Sequence, residues 1–76
     1  MKILRTDGYY FTFGSDHLGG RGWLRYIFVP GDIETSRSWM IRYFGNKWAS
    51  QYSPERMTEL LKRYPMVEVD RYGQEV

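Results

Sequence analysis

The chain has no cysteine and only one histidine among its 76 residues. Without cysteine it forms neither disulfides nor thiolate metal sites, which excludes the usual staples of small secreted domains and favours a reducing compartment, the cytoplasm. The histidine lies in Ser15-Asp16-His17, but three consecutive side chains point apart and do not form a catalytic triad. We therefore expect no enzyme activity, no metal site and no cofactor.

Long apolar runs are also missing. The start of the chain reaches Thr6-Asp7-Gly8 before an apolar stretch develops, and no later segment approaches 18 apolar residues. The sequence therefore predicts neither a signal peptide nor a transmembrane helix, and no membrane partner.

Aromatic residues are plentiful instead. Three Trp, seven Tyr and four Phe occur in a chain too short to bury all of them in one small core. Some of these rings are expected to face a partner. Net charge is only +2, but eight of the eleven basic residues are arginine, which suits contacts to carboxylates, phosphates and aromatic rings.

Residues 1–76 are expected to form one domain with a frayed end at 73–76. Thr6-Asp7-Gly8 between two β-prone runs predicts a hairpin of Lys2 to Arg5 with Tyr9 to Phe13. Alternation along the second run leaves Tyr10 on the opposite side from Tyr9 and Phe11, as a candidate for exposure.

Four of the eight glycines lie between Gly14 and Gly22, which predicts a mobile loop. Trp23 to Val29 then reads as a third strand, closed by a turn at Pro30-Gly31-Asp32.

The segment from Ser36 to Tyr52 allows two interpretations. On a helical wheel an apolar stripe collects on one side, which favours a helix; its members are Met40, Ile41, Phe44, Trp48 and Tyr52. The alternative is a hairpin that turns at Gly45-Asn46, since many of these residues are β-prone.

Ser53-Pro54-Glu55 predicts the start of a helix, with Ser as N-cap, Pro at the first position and an acid in the first turn. Alternation from Met66 to Tyr72 predicts a final strand. The expected fold is therefore α+β: an antiparallel sheet made of the N-terminal hairpin, the third strand and the C-terminal strand, covered on one face by one or two helices.

The helical interpretation predicts a binding surface. If the stripe points inward, Trp39 and Tyr43 stand on the opposite side beside Arg42, a combination that dominates binding energy at protein interfaces. Arg37, Lys47 and Tyr10 would form the rim. The alternative is that the two rings pack under the glycine-rich loop as a satellite cluster.

Two features point to nucleic acid instead. Gly8-Tyr9-Tyr10-Phe11-Thr12-Phe13 resembles the aromatic strand motif of RNA-recognition and cold-shock domains, although Asp7 stands where those motifs carry Lys or Arg. The resemblance implies stacking of bases on exposed rings. Gly19-Gly20-Arg21-Gly22 looks like a single Arg-Gly-Gly contact, so the candidate nucleic-acid contacts are Tyr10, Arg21, Trp23 and Arg25.

The favoured interpretation is a small non-enzymatic protein that binds stoichiometrically to a larger protein or nucleoprotein complex. In size, charge balance and aromatic load it is similar to the small accessory proteins with which bacteriophages and mobile elements inhibit or redirect host machines such as RNA polymerase or CRISPR effectors. A nucleic-acid-binding domain is the alternative. A homodimer whose exposed rings bury each other is a third interpretation.

Overall fold

A computed structural model describes residues 5–76. These residues form a four-stranded sheet and two α-helices, with a single turn of 3₁₀-helix at Leu18–Gly20. The elements are, in chain order, β1 (Gly8–Thr12), β2 (Arg25–Pro30), α1 (Ile33–Phe44), β3 (Ser50–Tyr52), α2 (Pro54–Arg63) and β4 (Val67–Glu68).

The sheet has the order β3-β1-β2-β4. β1 is antiparallel to both of its neighbours, whereas β4 is parallel to β2. The predicted α+β domain is thus confirmed, but the sheet is mixed rather than antiparallel. The predicted first hairpin strand falls largely on residues 1–4, which lie outside the described residues. β1 itself pairs with β2 on one side, where Tyr9 is opposite Val29, and with β3 on the other, where Phe11 is opposite Gln51.

Each face of the sheet is covered by one helix. Side chains alternate along β1 and β2, so successive residues of these strands contribute to different faces. One face and α1 share a cluster of buried side chains: Phe11, Phe13, Ile27, Val29, Met40 and Val69. The other face and α2 share a second cluster: Tyr10, Tyr26 and Met57. The prediction that the helices cover one face is therefore wrong, and so is the expected exposure of Tyr10, which is 2% exposed.

α1 begins earlier than the apolar stripe indicated. Asp32, which was predicted to lie in a turn, is its N-cap and accepts a hydrogen bond from the backbone N–H of Thr35 at 2.7 Å. Buried Ser36 donates its hydroxyl to the Asp32 carbonyl at 2.7 Å. The helix ends at Phe44 because Gly45 adopts φ +61°, a conformation that favours glycine.

For residues 36–52 the helical interpretation is correct in part, and the alternative hairpin is wrong because residues 38–44 are helical. The helix is confirmed as far as Phe44, and the chain beyond it forms β3 against β1. Trp48 and Tyr52 therefore pack from outside the helix. Ile41 is 56% exposed, so its predicted inward position is wrong.

α2 is confirmed as predicted. Ser53 caps it by accepting from the Arg56 N–H, Pro54 occupies the first helical position, and Met57 is fully buried.

The connection between β1 and β2 contains several hydrogen bonds. His17 Nδ1 accepts from the Gly14 N–H at 2.9 Å, and Gly20 N donates to the His17 carbonyl at 3.0 Å. Gly22 has no room for a side chain, because a Cβ there would collide with the Gly14 carbonyl oxygen. The mobility of this loop stays a prediction.

The C-terminal residues fold back along β4. Val69 and Glu75 form an antiparallel bridge, and Val76 N donates to the Glu68 carbonyl at 3.0 Å. The predicted fraying of residues 73–76 remains a prediction about dynamics. Across residues 5–76, neither helix has the length and apolar character needed to cross a membrane.

Candidate protein-binding surface

Two aromatic rings lie one helical turn apart on the flank of α1. The centroids of Trp39 and Tyr43 are 4.6 Å apart with the rings tilted at 43°. Trp39 is half-buried and packs against the core beside Phe44, whereas Tyr43 is 42% exposed. The pair therefore extends from the core to the surface. The sequence analysis had predicted that both rings lie opposite the buried side of the helix, and Trp39 does not.

The C-terminal turn adds two residues to this pair. The Arg71 guanidinium carbon lies 5.8 Å from the Tyr43 ring centroid and 5.0 Å from that of Tyr72, which is 71% exposed. The Arg42 guanidinium carbon also lies 5.8 Å from the Tyr43 ring centroid. We call Trp39, Arg42, Tyr43, Arg71 and Tyr72 the α1 aromatic surface.

Local hydrogen bonds fix the turn that carries Arg71 and Tyr72. The Asp70 Oδ1 atom accepts from the backbone N–H groups of Tyr72 at 2.9 Å and Gln74 at 3.1 Å. Gly73 follows with φ +76° and lies close to the Leu18 side chain. An Asp followed by a Gly three residues later is a turn signal, so the turn was detectable in the sequence, although its contact with α1 was not.

The surface carries permanent positive charge. The hydroxyl of Tyr72, followed by that of Tyr43, raises the pKa of Arg71. Guanidinium groups placed over aromatic faces are attracted by the ring quadrupole and stay available to carboxylates at their edges. The arrangement therefore suits a partner patch that combines apolar side chains with acidic ones.

The three predicted rim residues lie apart from this cluster, and Tyr10 is buried under α2. Arg37 is exposed but occupies the other flank of α1, about 200° around the helix from Trp39. There it lines a groove of about 690 Å³ together with Ile33 and Trp48. Lys47 is exposed just after the helix, where its N–H donates to the Phe44 carbonyl. Of the residues predicted to bind a partner protein, the structure thus brings together Trp39, Arg42 and Tyr43.

Tyr10 cannot take part in base stacking, which corrects the nucleic-acid prediction. Its ring packs against Tyr26 and Phe28, with centroids 5.9 and 4.9 Å away. Its hydroxyl accepts from the Arg5 N–H at 2.7 Å and donates to the Arg5 carbonyl at 3.1 Å. The reason is that α2 covers the sheet face on which Tyr10 lies.

The other three candidate nucleic-acid contacts remain near one another. Trp23 is 63% exposed, and Arg25 Nη1 donates to its carbonyl at 3.5 Å. Arg21 is exposed and lines a small pocket of about 230 Å³ with Arg25 and Glu75.

His17 has a structural role in the loop. Its Nδ1 is engaged by Gly14, and its Nε2 lies 3.8 Å from a carboxylate oxygen of Asp16. Within residues 5–76, no three side chains of the metal-binding types converge on one point. Comparisons with protein-family models, curated proteins and solved structures found no match to this chain.

Proposed function

We propose that this protein is a non-enzymatic binding protein that attaches stoichiometrically to a larger protein through the α1 aromatic surface. The observation that carries the proposal is the exposed stack of Tyr43, Arg71 and Tyr72 beside half-buried Trp39. Trp, Tyr and Arg are the residues that most often dominate interface energy. Anchors already held against the core or a turn lose little conformational entropy on binding.

The chemistry of the surface defines the partner patch. Arg42 and Arg71 stand beside the rings, and neither forms an ion pair with a carboxylate of residues 5–76. A patch with acidic side chains around an apolar centre would complement them. Because the proposed activity is to occupy another protein's surface, we place the protein among regulators or inhibitors. A nucleic-acid machine such as RNA polymerase or a CRISPR effector, the kind of target bound by phage accessory proteins, is the proposed class of partner.

The test compares variants on the two flanks of α1. Affinity capture from a lysate of the producing cells, with and without nuclease, is read by mass spectrometry for wild type and for Tyr43→Ala/Arg71→Gln. The double substitution should weaken binding at least about 30-fold, since a hot-spot residue contributes about 2 kcal/mol. Ile41→Ala is the matched control, because Ile41 is exposed on the same helix away from the surface.

Trp39→Ala is a less specific variant because Trp39 also packs on the core. We expect it to lose binding and to lower the free energy of unfolding by about 1–3 kcal/mol, whereas Tyr43→Ala leaves the melting temperature within about 2 °C of wild type. Retention of the same partner by the double variant would refute the proposal. Equal loss in Ile41→Ala would refute it as well.

A second candidate function rests on the exposed Trp23 with Arg21 and Arg25 beside it. An aromatic ring flanked by arginines can stack a base while the arginines contact phosphates. Binding of single-stranded RNA by this group would weaken steeply with salt and would be lost in Trp23→Ala, whereas the aromatic protein interface is less sensitive to salt. Capture that disappears with nuclease would favour this candidate.

A further inference from the structure

An apolar groove lies on the α2 side of the sheet, away from the α1 aromatic surface. It has a volume of about 460 Å³, and none of the described residues that line it is charged. Its apolar walls are formed by Phe13, Trp23, Leu24, Leu60, Tyr64 and Met66. Trp23 and Tyr64 are 63% and 43% exposed, so both rings are open to solvent. We call this feature the Trp23–Tyr64 groove.

The backbone beside Trp23 is held in an uncommon conformation. Leu24 has φ +60°, which costs a residue with a Cβ about 1 kcal/mol or more. Hydrogen bonds on both sides hold it there: Arg25 N donates to Gly22 O at 3.1 Å, and Val67 N donates to Leu24 O at 2.9 Å. Strain retained next to an exposed tryptophan is typical of a binding site.

A basic pocket adjoins the groove. Tyr52 and Leu60 line both cavities, and the second one, of about 330 Å³, also contains Arg56 and Arg63. Glu59 lies there too, with Lys62 as its partner at 3.9 Å. Neither arginine forms an ion pair with a carboxylate of the described chain.

We propose that the Trp23–Tyr64 groove binds a linear segment of a partner protein that inserts one apolar side chain between the two rings and places an acidic residue against Arg56 and Arg63. The uncharged groove selects the apolar anchor, and the neighbouring guanidinium groups select the carboxylate. Because the two cavities share a wall, the apolar anchor and the acidic residue of the partner segment must lie close together in its sequence. This site goes beyond the proposed function, since it lies on the other side of the sheet and leaves the α1 aromatic surface free.

The three tryptophans allow a direct test by nuclear magnetic resonance. Each indole N–H gives one signal, and only Trp23 lines the groove, whereas Trp39 belongs to the α1 aromatic surface and Trp48 donates to Gly45 O at 3.0 Å. The probes are heptapeptides of the form Gly-Gly-X-Gly-Asp-Glu-Gly in which X is Leu, Phe or Trp. Matched controls replace Asp-Glu by Asn-Gln.

At least one acidic probe should shift the Trp23 signal in a saturable way and leave the Trp39 and Trp48 signals in place. The Asn-Gln control should bind at least about fivefold more weakly, as should the acidic probe with Arg56→Gln/Arg63→Gln. Tyr64→Ala should also weaken binding. Arg37→Gln/Lys47→Gln, which removes the same charge from exposed positions outside both surfaces, should bind as wild type does.

Three results would overturn the proposal. The first is no Trp23 shift with any probe at millimolar concentration. The second is equal affinity for acidic and amide probes, which would leave the arginines without a role. The third is a Trp23 shift that grows with protein concentration in the absence of peptide, which would assign the groove to a second copy of the chain. None of these results depends on whether the α1 aromatic surface captures its partner.

Discussion

Tyr10 shows how one side chain can be misplaced by a correct pattern. The alternation along β1 was read correctly, and Tyr10 does lie on the opposite face from Tyr9 and Phe11. That face is buried because α2 packs on it, a tertiary contact that no local pattern in β1 reports. The hydroxyl is accommodated there by its two hydrogen bonds to the Arg5 backbone.

Burial also changes how Tyr10 responds to pH. Desolvation raises the pKa of its hydroxyl, against a smaller opposing effect of the hydrogen bond with Arg5. Because the unfolded chain then ionises first, the free energy of unfolding should fall as pH rises above the ordinary value of 10.0.

Tyr10→Phe tests this response. It should cost about 1 kcal/mol at pH 7 through the lost hydrogen bonds, and its stability should decline less steeply between pH 9 and about pH 11. Urea unfolding at a series of pH values measures both effects. Parallel pH profiles for the variant and wild type would show that Tyr10 is not the titrating group.

Arg71 and Tyr72 were not among the binding residues predicted from the sequence, for a different reason. Nothing in their immediate sequence marks them as binding residues, and they join Tyr43 only because the chain turns at Asp70 and Gly73 next to α1. The pair Trp39 and Tyr43 could be found from helical spacing alone. Residues that reach a site from a distant turn cannot.

At the scale of elements, a helix was predicted correctly where a cap and an apolar stripe agreed. α2 was predicted from Ser53 and Pro54 together with the stripe that contains Met57, and it was correct. In α1 the apolar stripe ran on through Trp48 and Tyr52 and favoured a helix past Gly45, although the alternative hairpin did place a turn at Gly45-Asn46 and a strand after it. Trp48 and Tyr52 pack on the core from outside the helix, and their spacing in the sequence happens to match that of a longer helix.

The Asp32 cap gives an acid-dependent prediction for α1. Hydrogen bonds from Thr35, chiefly its backbone N–H, lower the pKa of Asp32 below the ordinary value of 3.8. The ionised Asp32 carboxylate therefore stabilises the folded state fully above pH about 4. This stabilisation is lost as the pH falls through the pKa of Asp32 in the folded state, which is the lower of the two.

Asp32→Ala should accordingly lower the melting temperature at pH 7, and the difference from wild type should shrink towards pH 2. Asp32→Asn is the matched control, since Asn also caps helices but carries no charge, and its difference from wild type should be small at pH 7. Differential scanning calorimetry across this range provides the measurement. A deficit in Asp32→Ala that is the same at pH 7 and pH 2 would contradict the assignment.

For the whole molecule, the α+β class followed from the succession of strand and helix patterns, but the sheet order did not. Parallel pairing of β4 with β2 joins residues about 40 positions apart, such as Arg25 and Val67. Local patterns give no register for such a pair. The division of the core into two clusters follows from the packing of α1 and α2 on opposite faces of the sheet.

The two clusters should nevertheless unfold together. Neighbouring residues of β1 and β2 belong to different clusters, as Tyr10 and Phe11 do, so separating these strands disrupts both. We expect one transition in urea, with coincident midpoints by tryptophan fluorescence and far-ultraviolet circular dichroism.

Met57→Ala, in the cluster under α2, should cost about 2–5 kcal/mol and should lower both midpoints equally. Met40→Ala is the corresponding variant under α1, where it is also fully buried. A midpoint that moves for one probe alone would show that the clusters unfold separately.

The fold-back of the last residues has a consequence for aggregation. An uncovered β4 would present free backbone groups to the strands of other molecules, but the bridge of Val69 with Glu75 and the bond from Val76 to Glu68 occupy that edge. At the other edge, β3 is only three residues long. Within residues 5–76 both edges of the sheet are therefore short or occupied, and removal of residues 73–76 would leave the backbone groups of the two-residue strand β4 free to pair with another molecule.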